Sequence, residues 1–122
     1  PDKAYKFKEA LKNADGIVIS FAEHNSVYTA AFKNIFDWIS RVEKIVWYNK
    51  PMFLLSTSDG DRGAKTVLEI AYNRMSFGNP HEIPIFSLPN FNKNFDKDNG
   101  IINNELNGKF QKALEVFVSN IQ

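Results

Sequence analysis

The sequence has no cysteine and only two histidines, His24 and His81, far apart along the chain. Disulfides, thiol nucleophiles and thiolate-held zinc are excluded, and no spacing of ligating side chains marks a metal centre. Charge of one sign is lacking as well: 15 basic and 14 acidic residues are interspersed and leave a formal charge of +1. Such a surface carries no electrostatic footprint for nucleic acid or an anionic membrane. No apolar run approaches the ~20 residues that span a bilayer, and no charged-then-apolar leader opens the chain. A cytoplasmic protein with neither a nucleic acid nor a membrane as partner is the expectation.

What is present is apolar and aromatic: 43% and 14% of the 122 residues, enough for one core, so residues 1–122 are read as a single domain. The opening stretch reads as a helix with Ala4, Phe7, Ala10, Leu11 and Ala14 on one face. "GIVISFA", residues 16–22, is a continuous apolar run of strand length, the pattern of a central parallel strand covered on both faces. A helix is expected from Thr29 to Val46, with Phe32, Ile35, Phe36, Trp38, Ile39, Val42, Ile45 and Val46 filling an arc of roughly 180°, wider than the ~100° that covers one sheet face. The surplus, centred on Trp38, reads as core or as the groove of a homodimer or homotetramer. "KPMFLLSTS" repeats the strand pattern, and a helix follows with Ala64, Val67, Leu68, Ala71 and Met75 buried. "HEIPIFSLP" is the third strand, placed at a sheet edge because Pro84 cannot donate to a ladder. "NFNKNFDKDNG" reads as a polar loop, and Leu106, Phe110, Ala113, Leu114, Phe117 and Ile121 mark a closing helix. Strands alternating with helices imply an α/β fold with a doubly wound parallel sheet.

Two segments pass from a strand's carboxyl end into a helix, "FAEHNSVY" at 21–28 and "STSDGDRGA" at 56–64. In an open α/β sheet both lie at the edge where ligands sit. The second offers hydroxyls from Ser56, Thr57 and Ser58, and backbone freedom at Gly60 and Gly63. Gly and Ser are also the ordinary residues of such turns, so an unliganded loop remains an alternative. His24 reads either as a solvated loop residue or as a proton donor, and Arg62 as a phosphate-attracting or merely solvated cation. Lys33 and Asp37, four residues apart, read as a surface pair.

"AEHNSVYTAAFKNIFDWISR" resembles the first loop and following helix of the NADPH-dependent FMN reductase family, with Glu23, Asn25, Lys33, Asn34, Asp37, Trp38, Ser40 and Arg41 at matching spacing. "KPMFLLSTSDGDRGA" is similar to that family's second flavin loop, and "FSLPNFNKNFD" to its C-terminal segment. Ala22, His24, Ser26 and Thr29 stand where members usually carry Pro, Tyr, Gly and Pro. The resemblance implies a flavodoxin-like fold and an oxidoreductase using FMN and NAD(P)H to reduce a small-molecule electron acceptor, a flavin or a quinone. It also implies cofactor contacts from Glu23, His24, Asn25, Ser56, Thr57, Ser58, Asp59, Gly60, Arg62 and Gly63, with no catalytic residue beyond the flavin and no metal. An electron carrier or a cofactor-free interaction module is the alternative, the balanced charge speaking against a carrier. The family's first strand and its phosphate-binding turn have no counterpart here, so the chain is expected to be the C-terminal two-thirds of a longer protein.

Overall fold

The computed structural model describes residues 2–121. The chain runs α1 (Asp2–Asn13), β1 (Ile17–Phe21), β2 (Glu23–His24), β3 (Val27–Tyr28), α2 (Ala30–Val42), β4 (Met52–Thr57), α3 (Lys65–Met75), β5 (Ile85–Leu88), α4 (Phe91–Asn94), β6 (Phe95–Asp96), β7 (Gly100–Ile101) and α5 (Asn104–Ile121). β1, β4 and β5 pair in parallel in that spatial order, with Ile17 beside Met52 and Leu54 beside Ile85. Parallel neighbours need a crossover, and α2 and α3 supply the two steps. Successive side chains of β4 point to opposite faces and so divide the core in two. Met52 and Leu54 join Leu11, Phe21, Ile39, Val67, Leu68 and Ala71 under α1, α2 and α3. Phe53 joins Phe86, Leu88, Ala113 and Phe117 under α5. The expected doubly wound α/β layout is therefore present.

Four local features depart from the sequence-based expectation. β4 is the central strand of the described sheet and β1 has one unpaired edge, as expected where the family's first strand has no counterpart. What departs is the cover of β1, for Val18 is 53% exposed where a strand covered on both faces would be buried. β5 is the opposite edge, as Pro84 implies. "FAEHNSVY" is not a simple loop, since β2 and β3 form a two-residue-turn hairpin. The polar stretch after β5 also folds locally, into α4 and the β6–β7 hairpin.

The fourth departure is the end of α2, which stops at Val42 instead of reaching Val46. Thr29 stands just outside its start as the cap, its Oγ1 accepting from Phe32 N at 3.1 Å. Beyond Val42 the carbonyls of Ile45 and Val46 do not continue a helical ladder; they accept from Lys8 Nζ at 3.2 and 2.5 Å. Lys8 belongs to the buried face of α1 and is 2% exposed, its ammonium lying 3.8 Å from the Tyr48 ring centroid. Burial lowers its pKa, and the nearby Glu43 carboxylate acts in the opposite direction. Trp38, by contrast, is 45% exposed, and Lys33 pairs with Asp37 at 2.7 Å on the solvent side of α2.

Candidate functional site

β1 delivers its chain end to the hairpin, whose turn residues Asn25 and Ser26 have φ of 52° and 70°. Left-handed backbone at both turn positions matches the right-handed twist of the strands, a role Asn fills readily and Ser less so. "Asn-Ser" is thus a hairpin turn without the usual glycine, which hides it in the sequence. Behind the turn Tyr28 packs against Phe32, centroid to centroid 4.9 Å, and against Phe21 at 5.9 Å. This aromatic base holds the hairpin down while His24, Asn25 and Ser26 remain exposed. The Tyr28 hydroxyl is buried without a partner among the described residues. Burial raises its pKa, with Arg74 opposing.

Glu23 reaches from the hairpin to α3. Its Oε1 accepts from Val67 N at 2.8 Å. α3 needs that bond, because its own cap residue, Ala64, has a φ of 59° and no side-chain oxygen to offer. The two segments singled out in the sequence start as neighbours, Phe21 pairing with Ser56, and the Glu23 carboxylate ties the first of them to α3 as a cap in place of Ser or Asp. Replacing Glu23 with alanine is expected to cost about 1 kcal/mol of stability, while glutamine, which keeps an acceptor oxygen, recovers most of it. Thermal unfolding of the two variants beside the unchanged protein checks this.

The hydroxyls of the second loop are engaged internally. Ser56 is buried and donates to the Gly63 carbonyl at 2.7 Å, which also accepts from Ser87 Oγ at 2.8 Å. Thr57 Oγ1 donates to Leu88 O at 2.7 Å, and Ser58 Oγ accepts from Gly60 N at 3.2 Å. Asp59 Oδ1 accepts from Asn92 N at 3.1 Å. Gly60 O accepts from Asn90 N and Ser58 O from Phe91 N, both at 2.9 Å. Ser87, Asn90 and Phe91, from the end of β5 onward, thus close the loop; they lie in the segment similar to the family's C-terminal stretch, to which the sequence assigned no contact. Asn90, which has a φ of 50°, was the available sign of a special turn. Gly63, at a φ of 60°, is the residue that needs glycine; Gly60 is outside that region and an added Cβ would meet only Ser58 Oγ at 3.7 Å.

What the loop leaves unpaired is backbone. The amides of Asp59, Asp61 and Arg62 take no hydrogen bond among the described residues. They stand with the exposed His24 and Asn25 at the carboxyl edge of the sheet. On the α5 side of the strand ends, a cavity of about 410 Å³ is walled by Leu88, Phe91, Phe95 and Phe110, the Phe91 and Phe95 rings stacked at 4.8 Å. No group of three or more metal-ligating side chains occurs among the described residues.

A parallel sheet with helices on both faces and two polar loops at its carboxyl edge defines a doubly wound α/β protein. The flavoenzyme NAD(P)H:(acceptor) oxidoreductase from Paracoccus denitrificans shares the fold, with a TM-score of 0.77 at 21% identity over 99% of this chain and 68% of that one. The chain belongs to the NADPH-dependent FMN reductase family, whose sequence model matches residues 1–95. It is 38% identical over 64 residues, 52% of its length, to 2-hydroxy-1,4-benzoquinone reductase of a Burkholderia species. It is 25% identical over 121 residues, 93% of its length, to NADPH:quinone oxidoreductase of Arabidopsis thaliana. The matches span 35% and 59% of those two relatives' lengths.

The FMN that the family name implies has a ring whose edge is rich in acceptors, and this edge of the sheet offers donors. The amides of Asp59, Asp61 and Arg62, which take no hydrogen bond among the described residues, are donors of the kind such a ring accepts. The hydroxyls of Ser56 and Thr57 already donate to the Gly63 and Leu88 carbonyls and so hold the backbone of the loop.

Proposed function

We propose that the protein is a cytoplasmic, FMN-dependent NAD(P)H oxidoreductase that reduces flavins, quinones or similar small acceptors as a homodimer or homotetramer. The observation that supports this reading is the bond from Glu23 to Val67, which ties the hairpin to the first turn of α3, directly after the second loop. Bound flavin would supply the redox chemistry, taking two electrons from the nicotinamide and passing them to the acceptor. The chain's own task is positioning. Donors on the loop of residues 58–63 hold the ring edge, the Phe21–Tyr28–Phe32 cluster keeps the hairpin at fixed height, and the exposed His24 and Asn25 border the face where substrates enter. A catalytic triad is not required.

The oligomer rests on the outer side of α2, where Trp38 is 45% exposed and Ile45, just beyond the helix, is 52% exposed. Changing Trp38 to glutamate is expected to shift the protein toward monomer in sedimentation. A monomer before the change would refute this interface.

The activity is tested by following NADPH oxidation with a benzoquinone and with free FMN as acceptors. Turnover with either supports the reductase. Tight flavin binding without NADPH oxidation makes the protein a carrier, and neither makes it a cofactor-free module.

A further inference from the structure

Residues 90–92 grip the second loop with three successive backbone donors. Asn90 N donates to Gly60 O and Phe91 N to Ser58 O, both at 2.9 Å, while Asn92 N donates to Asp59 Oδ1 at 3.1 Å. These bonds fix direction as well as position. A trans peptide is planar, with its carbonyl and its N–H pointing opposite ways. The Ser58 carbonyl points at Phe91, so the N–H of Asp59, in the same plane, points away from it. The Gly60 carbonyl points at Asn90, so the N–H of Asp61 points away likewise. Neither amide has a partner among the described residues, and both residues are exposed. Two donors are thereby aimed to the side of the loop opposite residues 90–92.

The gripping segment is itself held. Asn90 makes the turn from β5 into α4 at a φ of 50°. The buried Asn94 donates from Nδ2 to Pro89 O at 2.9 Å and from its backbone N to Asn90 O at 3.0 Å, and the Phe91 ring stacks on Phe95. Asn90 makes no side-chain cap bond to α4, so the Asp59 carboxylate caps it from the other segment.

We propose that Asn90 and the Asp59 side chain are positioning residues for the flavin ring: acting through residues 90–92, they aim the Asp59 and Asp61 amides at its acceptor-rich edge. The inference rests on the reductase reading and deepens it by naming what sets the donors of the second loop. Amides already aimed by bonds within the protein need no reorganisation when the ring binds, and they stabilise it more strongly once reduction makes its edge electron-rich. The competing explanation is that residues 90–92 only stiffen the end of the sheet.

The test compares the protein at its natural length with Asn90→Val, Asn90→Gly and Asp59→Ala, by FMN titration, by the midpoint potential of the flavin at saturating FMN, and by thermal unfolding. A β-branched side chain at positive φ strains the turn, whereas glycine adopts it freely. The expected result for Asn90→Val is a loss of FMN affinity of about tenfold and a more negative potential, as two donors lose their aim. Asn90→Gly restores both, and Asp59→Ala shifts both the same way by less. Should Asn90→Val not fold, Asp59→Ala decides alone. A lower melting temperature with unchanged affinity and potential would overturn the proposal and leave residues 90–92 as a stiffener. A loss of affinity at unchanged potential would overturn it too, because the bound ring would still meet the same donors. Failure of the unchanged protein to retain FMN would instead remove the reductase reading, and this inference with it.

Discussion

Replacing Gly63 with valine is expected to lower the unfolding free energy by about 3 kcal/mol or more, among the larger effects available to a single substitution. Two costs add. The residue sits at a φ of 60°, which a β-branched side chain adopts only under strain. Its new Cβ would also press on Ser87 Oγ and approach the Leu88 carbonyl carbon and oxygen to 2.9 Å, and backbone on a paired strand cannot give way cheaply. Moving Ser87 would in turn break its bond to the Gly63 carbonyl, which Ser56 alone would then hold. Because the same loop carries the free amides of Asp59, Asp61 and Arg62, flavin affinity falls together with stability. Gly60→Val is the contrast: with only Ser58 Oγ within 4 Å of the added Cβ, stability should change by roughly 0.5 kcal/mol or less. Any loss of flavin binding in that variant reports the ligand rather than the fold. Thermal melts and FMN titrations of both variants separate the two cases.

Lys8→Met is expected to cost about 2 kcal/mol, because it leaves the Val46 carbonyl without its donor and the Ile45 carbonyl with Tyr48 N alone. The methionine fills much of the volume, so the loss is chiefly polar. Its pH dependence identifies the cause. The folded-state pKa of Lys8 is lowered, so the unfolded chain binds more protons between that depressed value and 10.5, and this residue's contribution to stability grows as pH rises through the window. The penalty for removing Lys8 should therefore be larger near pH 10.5 than at pH 8. A penalty that shrinks with rising pH would mean that the ammonium charge, not the bond geometry, supplies the stabilisation.

The layout of helices and parallel strands was legible because it is written in periodicity. Val67, Leu68, Ala71 and Met75 repeat at helical spacing and are all buried in α3. "MFLLS" is apolar at every central position and proves to be the strand covered on both faces. "GIVIS" has the same composition but is covered on one face only, with Val18 exposed, since an apolar run states that a strand prefers burial without stating which neighbour provides it. The buried Lys8 was illegible for a similar reason: its partners are carbonyls 37 and 38 residues away, and a lysine between Phe7 and Leu11 looks like a solvated position until those carbonyls are placed. Of the candidate site, the two segments and their proximity followed from strand–helix order alone. The division of labour within them did not, because whether Ser56 or Glu23 faces a ligand or the protein depends on bonds to Gly63 and Val67 that no local pattern encodes.

The central claim is that the joined loops hold a flavin that the reduced nicotinamide cofactor can reach. Its most direct test is anaerobic spectroscopy of the protein at its natural length, with FMN added to equivalence and excess flavin removed. The account predicts a retained yellow chromophore that bleaches on addition of NADPH and recovers when a quinone is supplied. A colourless protein after removal of free flavin, or a yellow one whose spectrum NADPH leaves unchanged, would contradict it.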